Sequence, residues 1–455
     1  MPRRNYWRNF LIDVVLCSGF VFLILLGIVK ISQWSPLQVL DPIGQALADT
    51  ELTDLTFSRL REDPEIDTNI LIVNFGNLPR AKVAEQIEII SRYKPKVIAI
   101  DAFYGNCPFG LTDSINCPTA YDTLSNMKLA DAITKAGNVV LVTKLLQTNA
   151  LVEKYGDVAI YDSLEHSAEM FRKGAHEGYA SLETDAGHQE DLKTCRRFNP
   201  KMMVNGEEHY AFAVKAAMAY DSVKTKRFLE RDNFVEVINY RGNTIDMYGA
   251  SEYAGRYFAL DWYQALDTNQ FVPALIKDKV VLMGFLGGDF TDTSWDDKFL
   301  TPLNSKMAGR ARPDMYGLVV HANIVSMILN EDYINETPDW LETLIAAVLC
   351  MLTVAVFLLI NGNSRLAPWY DALSLVIQLS QILIFSFVTV FFVVWFRLKL
   401  DLTTSLAALA VVGTGFELYN SFIKALWKTY FSKFVKKYLD LIGFLSNYIS
   451  IKRHE

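Results

Sequence analysis

The chain has 455 residues, 51% of them hydrophobic and 21% charged, with a formal net charge of -7. So large an apolar share beside an ordinary charged fraction points to apolar segments joined to a soluble domain, not to two or three soluble domains. The mild charge argues neither for nor against nucleic acid by itself, but the lack of zinc-type cysteine clusters, RNA-binding aromatic signatures and long basic tracts in the central region argues against it as a partner.

Residues 1–10 carry Arg3, Arg4 and Arg8 together with Tyr6 and Trp7, and lead into an apolar stretch over 11–31. About 20 apolar residues cross a hydrocarbon core of about 30 Å. The stretch is longer than the apolar region of a secretory signal and lacks a small-residue cleavage site, so it reads as an uncleaved signal anchor.

Residues 32–340 read as one domain, with no internal repeat and no low-complexity linker. Asn69 to Val73 is a short apolar run of the buried-strand type. Ala81 to Tyr93 carries Val83, Ile87 and Ile90 at helical spacing, and Pro95 stops it. Lys96 to Asp101 is a second buried strand ending in a carboxylate. Cys107 and Cys117 follow in a Gly/Asn/Pro-containing loop, either bridged or as two thiols; the bridge is the favoured reading on an outer, oxidising face. Leu129 to Ala136 reads as helix and Asn138 to Val142 as a third strand. Further on come a helix over His209 to Tyr220, an alternating strand over Phe234 to Tyr240, a buried strand over Lys279 to Gly284, and a helix over His321 to Leu329. Cys195 reads as buried. Strands alternating with helices predict an α/β domain, a mostly parallel sheet with helices on both faces.

Three more apolar stretches lie within 341–419, at about Leu344 to Ile360, Leu375 to Phe396 and Leu402 to Tyr419. The fold class expected is therefore α/β with four transmembrane helices, one before the domain and three after it. Gln378, Ser380 and Gln381 are expected to face neighbouring helices. Residues 420–455 place Ile423, Trp427, Tyr430, Phe434 and Tyr438 at three- to four-residue spacing, with Lys424, Lys428, Lys436 and Lys437 largely elsewhere. That is a basic amphipathic helix, suited to lie on an anionic membrane surface or to dock another subunit. The positive-inside rule puts both termini in the cytoplasm and the domain outside, as in a multi-pass protein of the bacterial inner membrane.

In open α/β sheets, ligands bind where loops converge at the carboxyl ends of strands. Arg80, Asp101, Asp292, Thr301 and His321 are the candidates for lining such a cleft; the competing reading is local pairing and capping. Gly284 to Gly288 lacks the spacing of a phosphate-binding or dinucleotide fingerprint. Asp292, Asp296 and Asp297 suggest oxygen ligands for a hard cation but do not match calcium-loop spacing. No metal, cofactor or catalytic residue is expected.

The order of these pieces resembles the type 2 CHASE domain, an extracytoplasmic sensory module associated with cyclases and histidine kinases. The resemblance rests on Val73 through Pro79-Arg80, Val97 to Asp101, Leu129 to Ile133 before Asn138 to Leu141, and Lys279 to Gly284. It continues through Thr301-Pro302, Tyr316-Gly317 and His321-Ala322-Asn323. Family members commonly carry an acidic residue after the first strand, where this chain has Asn74-Phe75-Gly76-Asn77-Leu78. The family also implies a cytoplasmic catalytic domain, for which residues 420–455 are too few. The expectation is a non-enzymatic membrane subunit that senses a ligand or docks a partner and passes any signal through other membrane or envelope proteins, with a homo-oligomer open. The alternatives are a scaffold subunit of an envelope complex and, least supported, an extracytoplasmic enzyme.

Overall fold

The computed structural model describes residues 3–32, 51–105, 118–148, 161–182, 194–245, 253–306 and 311–423. The expected Cys107–Cys117 bridge lies outside them, as do Lys424, Trp427, Lys428, Tyr430, Phe434, Lys436, Lys437 and Tyr438 of the tail. The chain forms two compact units, one of residues 46–335 with 393–398, the other of 1–45, 336–392 and 399–455.

The first unit is built on a seven-stranded sheet. Its strands are β1 (Asp67–Asn74), β2 (Val97–Asp101), β3 (Val139–Leu146), β4 (Ser163–Glu165), β5 (Ala175–Tyr179), β6 (Tyr257–Leu260) and β7 (Val280–Gly284). The order across the sheet is β6-β1-β7-β2-β3, with β5 and β4 both paired to β3. Every pairing is parallel except that of β4, which runs antiparallel to β3.

Side chains alternate across a strand, and here both faces are covered. Leu71, Val73, Ile98, Ile100, Leu141 and Val281 pack with Val83, Ile87 and Ile90 of helix Arg80–Arg92 and with Leu129 and Ile133 of helix Thr123–Ala136. Ile70, Ile72, Val97, Ala99, Val140 and Leu282 face helices Phe212–Tyr220 and Gly317–Asn330. That is why these strands are unbroken apolar runs: both faces are core.

Two expectations for the middle of the chain are corrected. The helix foreseen from His209 begins only at Phe212, because His209 belongs to a hairpin in which Glu207–Tyr210 pairs with Lys201–Val204. Asn205 and Gly206, with φ of 51° and 82°, make its turn, the Asn-Gly chemistry that two-residue hairpins favour. The strand foreseen over Phe234 to Tyr240 shrinks to Glu236–Val237, paired with Arg197–Phe198. Cys195 is buried.

In the second unit, which takes in Ala367–Phe396 up to residue 392, Tyr6–Ile28, Asp339–Gly362 and Ala367–Phe396 are the helices among the described residues that are long and apolar enough to cross a membrane. The expected fourth span is a helix, Thr403–Leu418, of 16 residues. Its rise of about 24 Å falls short of the hydrocarbon core, and a π turn, Tyr419–Ile423, extends it. Cys17, Val21, Cys350, Val354, Phe357, Val412 and Phe416 interlock as its apolar centre. The amides anticipated between helices are there: Gln378 Oε1 accepts from Gly413 N at 3.2 Å, and Gln381 Nε2 donates to Thr353 Oγ1 at 3.0 Å.

Candidate functional site

The parallel register lines up the carboxyl ends of the strands. Val73 lies opposite Leu260, Asn74 opposite Gly284, and Gly284 opposite Asp101. A single row therefore runs Asp261, Asn74, Gly284, Asp101. Alternation turns Asn74 and Asp101 toward the face covered by helix Gly317–Asn330. Gly284 lets that helix come close: a Cβ there would stand 2.9 Å from Leu318 Cδ2.

At one end of the row every polar group is engaged. Asn74 Nδ2 donates to Asp261 Oδ1 at 2.8 Å and to the Gly287 carbonyl at 3.2 Å. Its Oδ1 accepts from Gly76 N at 2.8 Å and Leu286 N at 2.9 Å. Asp261 in turn accepts from Trp262 N at 2.8 Å and Phe290 N at 3.0 Å. Two side chains thus tie together the loops after β1, β6 and β7. Both are buried, so each bond is made away from water, where leaving a group unpaired is costly.

Asp101, at the other end, has no hydrogen-bond partner among the described residues. It is only partly covered, yet loss of water around its carboxyl, and then the nearby Asp297 carboxylate, push its pKa up to about 7. Asp297 is exposed as a residue, but its carboxyl lies over the start of helix Gly317–Asn330, 3.5 Å from where a Gly317 Cβ would be. Desolvation raises its pKa to about 6. A partly open, poorly solvated carboxyl beside a second one is a group that holds a proton near neutral pH.

The other sequence candidates do not join Asp101. Arg80 Nη1 donates to Asn126 Oδ1 at 2.6 Å and to the Thr119 carbonyl at 3.1 Å, and its guanidinium lies 5.5 Å from the Tyr104 and Phe171 ring centres. Asp292 accepts from Gly288 N at 2.7 Å and Ser294 N at 2.8 Å, bonds that hold its carboxyl below the usual range. It closes its own loop, in which Gly287 has a φ of 90°. Thr301 donates its hydroxyl to Asp314 Oδ2 at 2.6 Å and its amide to Oδ1 at 2.9 Å, both residues being buried. His321 sits in the core, edge-on to Phe212 at 5.2 Å, and burial pushes its pKa down to about 4. Among the described residues no three His, Cys, Asp or Glu side chains converge as metal ligands.

Asn74, Asp261 and Asn323 are not among the site candidates the sequence offers, and Asp297 is one only as an oxygen ligand grouped with Asp292 and Asp296. Asn323 Oδ1 accepts from Arg241 N at 2.7 Å, Gly242 N at 3.2 Å and Tyr257 Oη at 2.9 Å, while its amide donates to Gly242 and Val319 carbonyls. In the triplet His321-Ala322-Asn323 it is therefore the asparagine that pins another chain segment. A buried amide in an apolar helix was the available signal.

This architecture defines a class: a mostly parallel α/β domain in a chain that also bears apolar, membrane-length helices. The CHASE2 domain model matches residues 23–360, most of the chain, and the chain belongs to the CHASE2 family of sensory extracytoplasmic domains. No curated protein and no solved structure matches it.

Proposed function

We propose that this chain is a membrane-anchored sensor whose extracytoplasmic domain responds to a ligand or a docked protein and hands the response to partner proteins, without catalysing a reaction. The observation that carries this reading is the extent of the family match. It begins at residue 23, inside helix Arg3–Ser32, and ends at residue 360, inside helix Asp339–Gly362. The sensory domain is thus continuous in sequence with an apolar helix at each end. The fate of Thr301 and His321 supports a non-enzymatic role: one is committed to Asp314, the other is neutral in the core.

Arg3, Arg4 and Arg8 before the first apolar helix, and the lysines after residue 423, favour cytoplasmic termini with helix Thr403–Leu418 and its π turn as a fourth crossing. A bacterial inner membrane is the setting this implies. Reporter fusions after Ile423 are expected to be active only as cytoplasmic reporters.

Hydrogen exchange on the full chain in mild detergent tests the sensory reading. Adding the dialysable small-molecule fraction of the cell envelope is expected to change protection in helices Asp339–Gly362 and Tyr370–Phe396. Unchanged protection, with the same stoichiometric partners co-purifying under all conditions, would instead make the chain a scaffold subunit.

A further inference from the structure

We propose that a cavity beside Arg61 and Arg241, away from the Asp101 row, binds a small organic anion through its carboxylate. This rests on the sensory reading and names its ligand class.

The cavity holds about 480 Å³, within the range of about 300–1,000 Å³ usual for small-molecule sites. Phe57, Met327 and Ile334 are part of its apolar lining, and its polar lining holds Arg61, Arg241, Arg397 and Ser326 together with Glu62, Asp63, Glu65 and Asp332. The guanidiniums of Arg61 and Arg241 are held in place by groups that do not neutralise them. Arg61 lies 5.4 Å from the Phe57 ring centre and 4.7 Å from that of Tyr253, and its Nη2 donates to the Arg241 carbonyl at 3.0 Å. Its Nε is buried with no partner. Arg241 donates from Nε to Ser326 Oγ at 3.0 Å and from Nη1 to the Glu65 carbonyl at 2.9 Å. The Ser326 proton goes to Asp67 Oδ2 at 2.6 Å, so the hydroxyl serves Arg241 as an acceptor.

Among the described residues neither Arg61 nor Arg241 makes an ion pair. The acidic groups nearby are otherwise placed. Glu62, Asp63 and Glu65 are exposed; Asp63 pairs with Arg256 and Asp332 with Arg397. Asp67 is held by Ser326, Asn330 and Asn69. Burial weakens the hold of Arg61 on its proton, bringing its pKa down to about 10. A desolvated cation is stabilised by an anion that fills the same space, and guanidinium forks suit a planar carboxylate. The apolar wall calls for a carbon body behind that carboxylate, which inorganic phosphate lacks.

The test is calorimetric titration of the full chain in detergent micelles with benzoate, succinate and inorganic phosphate in turn, up to about 10 mM, weaker than which binding would not be site-like. Saturable binding of benzoate or succinate is expected, weakened about tenfold or more by Arg61→Gln and less by Arg61→Lys, which keeps the charge but loses the fork. Lys135→Gln, at an exposed helix position outside the cavity, serves as the folded control and is expected to bind as the wild type does. No saturation with any probe, phosphate binding alone, or undiminished binding in a folded Arg61→Gln protein would each overturn the proposal. Carboxylate binding that leaves helix protection unchanged would keep this site and sink the sensory reading.

Discussion

Asn74 and Asp101 end two strands of one sheet, with only β7 between them, and they have opposite surroundings. Asn74 sits among four hydrogen-bond partners and is buried. Asp101 has none among the described residues and is partly open. Position at the carboxyl end of a strand therefore does not by itself make a residue functional. What separates the two is whether the surrounding backbone consumes the side chain's hydrogen-bonding capacity. An amide, with donor and acceptor at once, answers both the Asp261 carboxylate and the amides of Gly76 and Leu286. A carboxylate at the same point would meet Asp261 head-on.

The strongest way to break this contrast is Asn74→Asp. It removes both donated bonds and sets two carboxylates against each other, and a loss of about 3–5 kcal/mol is expected in denaturant unfolding of the full chain. An unchanged midpoint would show that the loops after β1, β6 and β7 are not tied through this residue.

His321 and Asp101 offer a second contrast, in the sign of their pH dependence. The folded pKa of His321, about 4, lies below its ordinary 6.5. Its contribution is intact above 6.5 and is lost as pH falls toward 4. His321→Leu is expected to remove about 2–3 kcal/mol of that acid sensitivity, seen as a flatter melting temperature between pH 7 and pH 4. Asp101 runs the other way. Its folded pKa, about 7, lies above its ordinary 3.8, so its contribution is present at low pH and is lost as pH rises through 7. Allowing for solvent screening, Asp101→Asn is expected to stabilise the chain by about 1–2 kcal/mol at pH 8 and hardly at all near pH 4. Equal gains at both pH values would show that Asp101 is not desolvated.

The smallest expected effect is at Arg80. Arg80→Ala gives up two hydrogen bonds and two ring contacts at a half-exposed position, and about 1 kcal/mol is expected to be lost. A loss as large as that at Asn74 would move Arg80 into the central tie.

The first half of the sheet was legible because β1, β2, β3 and β7 are covered on both faces and so read as unbroken apolar runs. The segment between Tyr161 and Val237 was not. Its strands are two to five residues long, and its hairpin is announced only by Asn205-Gly206, inside a stretch whose later residues are helical. The topological rule led to Asp101, but the partner that shifts its proton affinity, Asp297, lies nearly 200 residues away in sequence and was grouped with Asp292 and Asp296 by proximity. Charge and spacing likewise favoured His321 over Asn323, although the asparagine makes the bonds. The cavity beside Arg61 is assembled from segments far apart in sequence and has no local pattern to read.

The strand order also bears on how the chain is made. β1 is synthesised first among the seven, but both strands that flank it, Tyr257–Leu260 and Val280–Gly284, come roughly 190 or more residues later. Until then its two edges have no native partner, and such edges are templates for mispairing. Closure of so distant a pair is intrinsically slow. The α/β domain therefore acquires its central strand pairings only after nearly its whole length has been made, which makes the interval before that its most vulnerable.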